Sequence, residues 1–219
     1  MIPTLLWRCP ICSTNDALEH NHRFLKPDLV VCRHCGTNWE VRRVVGKDYK
    51  LKVTASPAYP DEVGKDVPLA EWYARMKATK ILIPIQDTAL ELSDGEELYL
   101  ASRRVSLTAM SNDTTFFSAD DGSDGETEPL AKFVSDGRLF LTNQKLVWQG
   151  EDGKQLDYPL TQINSLYTLF NIAAVLMVSA RLHTLRFREE SMLKWVNYFG
   201  VLAAEIKTAT GHKITTSNY

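Results

Sequence analysis

Residues 9–35 read CPICSTNDALEHNHRFLKPDLVVCRHC and contain every cysteine of this 219-residue chain. Two Cys-x-x-Cys pairs bracket the stretch, with residues 13–31 between them. Such pairs at this spacing are typical of a tetrahedral zinc site with four sulfur ligands. The two-residue gap allows a tight turn to direct both sulfurs of a pair at one metal, and a hairpin brings the pairs together. The predicted ligands of one structural Zn²⁺ are Cys9, Cys12, Cys32 and Cys35.

Gly36 follows the second pair directly and permits the positive φ that such turns often need. A shell of four sulfurs leaves no open position for substrate or water, so the ion is expected to be structural. A redox dithiol and two disulfides are the alternatives, but no redox-fold pattern surrounds either pair. His20, His22 and His34 could compete as ligands, although the four sulfurs already complete the shell. Reduced, metal-bound cysteines favour a cytoplasmic or nuclear compartment, and we expect a cytoplasmic protein.

Residues 1–54 are predicted to form a zinc ribbon, whose short antiparallel strands enclose a core too small to fold without the metal. Trp7 and Trp39 are expected to cover the zinc side of the sheet. The Gly46-Lys47-Asp48 segment indicates a hairpin turn. The predicted strands are Leu5–Arg8, Leu29–Cys32, Asn38–Val45 and Tyr49–Thr54.

Residues 55–79 are predicted to be a linker followed by a short amphipathic helix over Pro68–Thr79. Pro57, Pro60 and Gly64 indicate the irregular part. The apolar face of the helix could pack on a neighbouring domain or bind a partner. It comprises Leu69, Trp72, Tyr73 and Met76.

From about residue 80 the apolar residues alternate as they do in β-strands, and a predicted helix over Glu189–Thr208 follows the last strand. The fold class is therefore mainly β (α+β): a zinc ribbon, then a seven-stranded antiparallel β-barrel capped by the C-terminal helix. We expect residues 80–210 to form this second domain and residues 211–219 to form a tail. The predicted strands are Glu97–Met110 (a strand pair or one long bent strand), Leu130–Thr142, Lys145–Gln149, Gln155–Tyr158, Gln162–Phe170, Ala173–Ala180 and Leu182–Arg188.

The segment GRLFLTNQKLVW, Gly137–Trp148, resembles a hairpin of the PH-like superfamily, especially its GRAM and GLUE branches. The following YPLTQI segment (158–163), the entry segment Leu92–Tyr99 and the early helical Trp195 match the same pattern. The resemblance covers about residues 90–208. It implies a non-enzymatic adaptor or targeting domain that binds a protein partner or a membrane surface.

Lipid-binding members of that superfamily place basic residues around one open end of the barrel. Lys145 stands where the family usually has arginine, so the charge is kept but the planar fork is lost. A phosphoinositide pocket competes with the alternative that these cations are solvated or locally paired. The candidates for lipid or anion binding are Arg103, Arg104, Lys132, Arg138 and Lys145.

The ribbon is also similar to ubiquitin-binding NZF fingers at Trp7-x-Cys9-x-x-Cys12. Asn15 lies one position early and the loop to the second pair is much longer, so a generic zinc ribbon fits better. The ribbon surface would supply a second contact with a protein partner or a larger assembly.

Nucleic-acid binding is the second candidate function. The whole chain has a formal net charge of -2, but residues 1–53 carry more basic than acidic side chains. The basic hairpin could contact phosphates while an aromatic side chain stacks on a base. The candidate residues are Trp39, Arg42, Arg43, Lys47, Lys50 and Lys52.

Catalytic motifs are missing from the sequence: it has no Gly-x-Ser-x-Gly, Walker loop or His-Glu-x-x-His, so no enzyme is predicted. The acidic segment 112–129 fits no calcium-binding register and indicates a solvated insertion. The segment Met1–Trp7 lacks the pattern of a secretory signal, and no apolar run is long enough for a transmembrane helix.

Overall fold

A computed structural model describes residues 2–44, 46, 48–79, 82–110, 131–169, 173–179 and 181–216. The chain divides into two compact units, Met1–Ile81 and Leu82–Tyr219. Among the described residues, no helix is both long and apolar enough to cross a membrane.

The first unit contains an antiparallel sheet whose five strands lie in sequence order. Hydrophobic residues alternate along β4, where Leu51 and Val53 point into the core, so one face of the sheet is buried. Two helices accompany the sheet, α1 at Ile2–Leu5 and α2 at Leu69–Ala78. The strands are β1 Leu18–Asn21, β2 Leu29–Cys32, β3 Asn38–Arg43, β4 Tyr49–Ala55 and β5 Asp66–Pro68.

Helix α2 packs its apolar face on the ribbon sheet. Trp72 is buried, and its indole Nε1 donates a hydrogen bond of 3.2 Å to the carbonyl oxygen of Leu51. The Trp72 ring meets Trp39 edge to face at 6.0 Å, and Met76 is fully buried. The face predicted to pack or to bind a partner is therefore engaged within its own unit.

One strand prediction in the first unit is wrong, and two further features of this unit were not predicted. The predicted strand Leu5–Arg8 is replaced by α1 and a single bridge between Arg8 and Asn15. Pro3 favours this outcome because its fixed φ suits the first turn of a helix. The predicted linker contains a 3₁₀ turn, Pro60–Glu62, and ends in β5, which pairs with β4. Strand β1 is short and polar, and it had no clear sequence signal.

In the described part of the second unit, nine strands form one curved sheet. Its main path runs β10-β9-β8-β7-β13-β12-β11-β14, and β6 also pairs with β8. All pairs are antiparallel except β11 with β14. The strands are β6 Leu98–Ala101, β7 Val105–Met110, β8 Ala131–Thr142, β9 Lys145–Gly150, β10 Gln155–Pro159, β11 Ile163–Leu169, β12 Ala173–Val178, β13 Arg181–Phe187 and β14 Thr215–Thr216.

Helix α3, Met192–Thr210, covers the inner face of this sheet. It ends at Gly211, whose positive φ of 78° makes the left-handed cap that L side chains adopt poorly. Trp195 and Phe199 face the apolar side chains of five strands, so the predicted C-terminal helix is part of the core. The strand residues around them are Leu139, Leu146, Leu166, Ala174, Leu185 and Phe187.

The sheet differs from the predicted seven-stranded barrel in strand number and closure. Strands β10 and β11 do not pair among the described residues, so the path stays open. The predicted Glu97–Met110 segment forms β6 and β7, and both pair with β8. Ser102 lies at the break: its amide donates to the carbonyl oxygen of Leu139 and its hydroxyl accepts from the Leu139 amide. Strand β14 is too short to leave a periodic signal in the sequence.

Candidate metal centre and binding surfaces

The four cysteine sulfurs lie together, all within 4.8 Å of one another. Cys9 Sγ lies 3.9 Å from Cys35 Sγ, and Cys12 Sγ lies 3.7 Å from Cys32 Sγ. A tetrahedral zinc ion with Zn–S bonds of about 2.3 Å separates its sulfurs by about 3.8 Å. A disulfide would require about 2.05 Å. The spacing therefore fits four ligands around one zinc ion and excludes disulfides between these atoms.

The two cysteine pairs have the same backbone conformation. The residue after each pair has a positive φ, 61° at Ser13 and 71° at Gly36. Its amide donates a 2.9 Å hydrogen bond to the carbonyl oxygen of the first cysteine, from Ser13 to Cys9 and from Gly36 to Cys32. The need for a left-handed residue was predicted at Gly36, but at the first pair a serine takes that conformation.

Two threonine hydroxyls support the sulfurs, and the sequence analysis missed both. Thr14 Oγ1 lies 3.3 Å from Cys12 Sγ, and Thr37 Oγ1 lies 3.1 Å from Cys35 Sγ. When a metal holds the sulfurs as thiolates, each hydroxyl donates to its sulfur. Ser56 Oγ extends the second contact, 2.8 Å from Thr37 Oγ1. The available sequence signal was the repeat Cys-x-x-Cys-x-Thr, present at residues 9–14 and 32–37.

The protein environment treats the thiols unequally. Burial raises the pKa of Cys9 and raises that of Cys32 to about 11. At Cys12 burial acts in the same direction, but hydrogen bonds, led by that of Thr14, outweigh it and lower the pKa to about 6. A divalent cation offsets the cost of holding buried thiolates, because it supplies the missing positive charge.

The residues that resemble an NZF finger have roles inside the ribbon. Trp7 is buried, and the Arg8 guanidinium lies over its ring at 4.8 Å. Asn15 Oδ1 accepts a 2.8 Å hydrogen bond from Arg8 Nε. Arg8 Nη1 also donates a 2.6 Å hydrogen bond to the carbonyl oxygen of Thr79, so Arg8 links the first cysteine pair to the end of α2.

Three of the five candidate anion-binding cations form local ion pairs. Arg138 pairs with Asp87 at 2.5 Å, Arg104 pairs with Asp136 at 2.5 Å, and Lys145 lies 3.4 Å from Asp157 and 3.6 Å from Glu96. A guanidinium that already holds a carboxylate is not free to bind a phosphate. Arg103 and Lys132 are exposed, on the β6–β7 turn and at the start of β8.

Replacing Asp87 by Asn should destabilise the second unit at neutral pH. The Arg138 guanidinium lowers the pKa of Asp87 in the folded protein. The stabilisation by this ion pair is therefore fully present above the unfolded pKa of about 3.9, and it is lost as the pH falls through the lower folded pKa. Because Arg138 is partly exposed, we expect a cost of about 1 kcal/mol at pH 7. Urea unfolding at pH 7 and at about pH 2.5 would measure it. Asp94→Asn, at an exposed turn, is the matched control. An equal cost at both pH values would contradict the ion-pair explanation.

Trp39 cannot have the base-stacking role considered for it, because the structure buries its ring. It is 1% exposed and packs against Trp72. Arg42 is exposed but pairs with Glu40 at 2.8 Å and with Asp66 at 3.2 Å. The other described cations of the hairpin are Arg43, Lys50 and Lys52, while Lys47 and the acidic segment 112–129 lie outside the described residues.

The outer face of the second sheet carries a row of five uncharged side chains. Residues directly opposite in a sheet share a face, and five strands contribute one residue each. The two ends of the row are aromatic: Phe133 is 59% exposed and Tyr167 is 44% exposed. The residues between them are half-buried. In spatial order the row is Phe133, Thr108, Thr184, Val175 and Tyr167.

Comparisons with protein families and with curated protein sequences find no match. Among solved structures, the chain is similar to one described as the Vps36 N-terminal PH domain. The identity is 15%, the match covers 53% of this chain and 86% of that chain, and the TM-score is 0.38. What this chain binds does not follow from a likeness at that level.

Proposed function

We propose that the chain is a non-enzymatic cytoplasmic adaptor. Its second unit, a PH-like domain of the GRAM/GLUE type, binds a protein partner through the outer face of the sheet. Its first unit is a zinc ribbon that holds one structural Zn²⁺ on Cys9, Cys12, Cys32 and Cys35 and supplies a second contact. The observation that carries the proposal is the uncharged row from Phe133 to Tyr167.

The row has the composition of a protein interface. Aromatic side chains are enriched at interface centres and charged ones are depleted there. Phe133 and Tyr167 expose large apolar areas to water, and the half-buried residues between them, Thr108, Thr184 and Val175, add uncharged β-branched surface. Contiguous exposed apolar surface of this kind usually marks a site of interaction.

A protein partner fits this face better than an anionic membrane does. Binding to anionic lipid needs unpaired cations, at about 1 kcal/mol for each Lys or Arg near the surface. The row contains none, and Arg104, Arg138 and Lys145 are held by carboxylates of the same unit.

The ribbon offers a separate apolar contact at the end of its first hairpin. Phe24 and Leu25 are 89% and 88% exposed, the highest values among the described large hydrophobic residues. Arg23 and Lys26 flank them in the chain. An adaptor with two separate contacts gains affinity through effective concentration, because the second contact forms intramolecularly.

Removing the aromatic side chains of the row should abolish partner binding without unfolding the protein. We expect Phe133→Ser with Tyr167→Ser to change the free energy of unfolding by less than about 1 kcal/mol, since both side chains are exposed. Photo-cross-linking from position 133 in the host cell, followed by a quantitative pull-down, identifies the partner and measures its loss from the double variant. Tyr59→Ser is the matched control, because Tyr59 is 41% exposed but belongs to the first unit.

The proposal fails if the double variant and Tyr59→Ser retain the partner equally. Pelleting with anionic but not neutral vesicles, lost when Arg103 and Lys132 are reversed to Glu, would favour the membrane function instead. Salt-sensitive nucleic-acid binding that is lost when Arg42 and Arg43 are reversed would favour the nucleic-acid function.

A further inference from the structure

A second cluster of metal-ligating side chains lies in the first unit, on the hairpin between the two cysteine pairs. His20 and His22 are two residues apart and point to one side of the β1 strand and its extension. Asp28 directly precedes β2. Because Asn21 pairs with Leu29, the register places Asp28 opposite His22 across the hairpin.

The donor atoms of the three side chains converge. Asp28 Oδ2 lies 2.8 Å from His22 Nδ1 and 3.2 Å from His20 Nε2, and all three donor atoms lie within 4.8 Å of one another. Ligands held at about 2.0–2.2 Å from a metal, at angles between octahedral and tetrahedral, are separated by roughly 2.9–3.5 Å. The distances from Asp28 Oδ2 to the two imidazole nitrogens already lie near this range, so the three side chains converge as metal ligands do.

We propose that His20, His22 and Asp28 bind a second divalent transition-metal ion. Two imidazole nitrogens and one carboxylate oxygen suit borderline ions such as Zn²⁺, Co²⁺ and Ni²⁺. Three protein ligands leave at least one coordination position open, whereas the four-sulfur site is closed. The two sites therefore differ in ligand softness and in access to outside ligands.

The carboxylate is oriented by a further contact. Asp28 Oδ1 accepts a 3.2 Å hydrogen bond from the backbone amide of Arg23, so Oδ2 stays directed at the imidazoles. Groups that hold a ligand in this way commonly raise metal affinity, and their loss costs about 10–100-fold. His20 is largely buried and His22 is exposed, so an ion can enter from the His22 side.

An ion here would brace the loop that carries the exposed Phe24 and Leu25. The loop is already tied across its base, where Arg23 Nε donates a 2.7 Å hydrogen bond to the carbonyl oxygen of Pro27. Leu25 has a positive φ of 57°. Metal binding would replace the hydrogen bonds between Asp28 and the two imidazoles by metal–ligand bonds across the same loop. The proposed ion would thus control the order of the apolar hairpin tip without contacting it.

Cobalt is the probe that tests this site, because it reports its own ligands. The full chain, first loaded with one equivalent of zinc, is dialysed against Co²⁺ at micromolar concentration, and both metals are counted by mass spectrometry. We expect each chain to retain its zinc and to take up one Co²⁺ whose spectrum lacks thiolate-to-cobalt charge transfer. In His22→Ala the affinity for Co²⁺ should fall at least tenfold, about the lower limit for loss of a supporting contact, while zinc is retained.

Glu19→Gln is the matched control, since it removes a carboxylate from the same strand outside the cluster. It should bind Co²⁺ as the wild type does. His22 is exposed, so its replacement leaves the fold intact and the comparison remains informative. The proposal is overturned if the wild type takes up no cobalt beyond exchange into the zinc site, or if His22→Ala binds it as tightly as the wild type.

Discussion

Removal of the metal from the four-cysteine site is expected to unfold the first unit and leave the second unit folded. Cys9, Cys32 and Cys35 are buried, and their sulfurs cluster with that of Cys12 in a small sheet domain. Structural zinc contributes about 10–16 kcal/mol of apparent binding free energy in small zinc-dependent domains. That is comparable to the whole stability of a typical domain, about 5–15 kcal/mol. The core of the first unit therefore cannot compensate for loss of the ion.

Chelation and the Cys32→Ser variant test this expectation in two ways. Amide NMR signals from β1 to β5 should collapse to the unfolded region, while those of β6 to β13 keep their positions. Limited proteolysis should then cut within residues 2–79 first. Ser191→Ala, in the second unit, is the control. Chelation should change its NMR spectrum in the same way as that of the wild type. Simultaneous loss of both sets of signals would show that the two units do not fold independently.

Replacing Gly137 by Ala should destabilise the second unit strongly. A Cβ at this position would lie 2.2 Å from the carbonyl oxygen of Gln149 and 2.9 Å from Gly150 Cα. Both are backbone atoms of β9, which pairs with β8, so rotation of a side chain cannot relieve the clash. Forcing strands apart in a packed core costs about 3 kcal/mol.

Gly200→Ala is the control, with the opposite expected sign. Gly200 lies inside α3, and a Cβ there would meet nothing within 4 Å outside the helix backbone. Alanine should stabilise the helix by up to about 1 kcal/mol. Urea unfolding followed by fluorescence of Trp148 and Trp195 measures both variants. A loss of less than about 1 kcal/mol in Gly137→Ala would show that β8 and β9 can separate without penalty.

The hairpin at Gly137 could be predicted from the sequence, but the reason for a glycine at this position could not. The resemblance placed a glycine at the start of the predicted hairpin, and β8 and β9 form there. The reason for glycine is visible only in the register, where Gly137 pairs with Gly150. Registers depend on contacts between residues far apart in the chain, which local periodicity does not encode.

The candidate sites show the same division. The four cysteines were predicted from their spacing alone, because two residues between ligands is a local geometric requirement. The supporting threonine hydroxyls and the His20–His22–Asp28 cluster were missed, since they depend on how the fold positions β1, β2 and the two cysteine pairs. Trp39 was expected to cover one side of the sheet but was also a candidate for base stacking, because the sequence of one strand does not show which of its faces is buried.

A cluster of the four cysteines, the order of most strands and the terminal helix could be predicted from the sequence alone. These features follow from short-range spacing and from hydrophobic period. Which cations are neutralised depends instead on the folded structure, since Asp87 and Arg138 are far apart in the chain. The folded structure also decided which apolar residues face water together, because Phe133 and Tyr167 become one surface only through the pairing of five strands. Long-range pairing is set by the packing of the whole sheet, and no local stretch of sequence contains it.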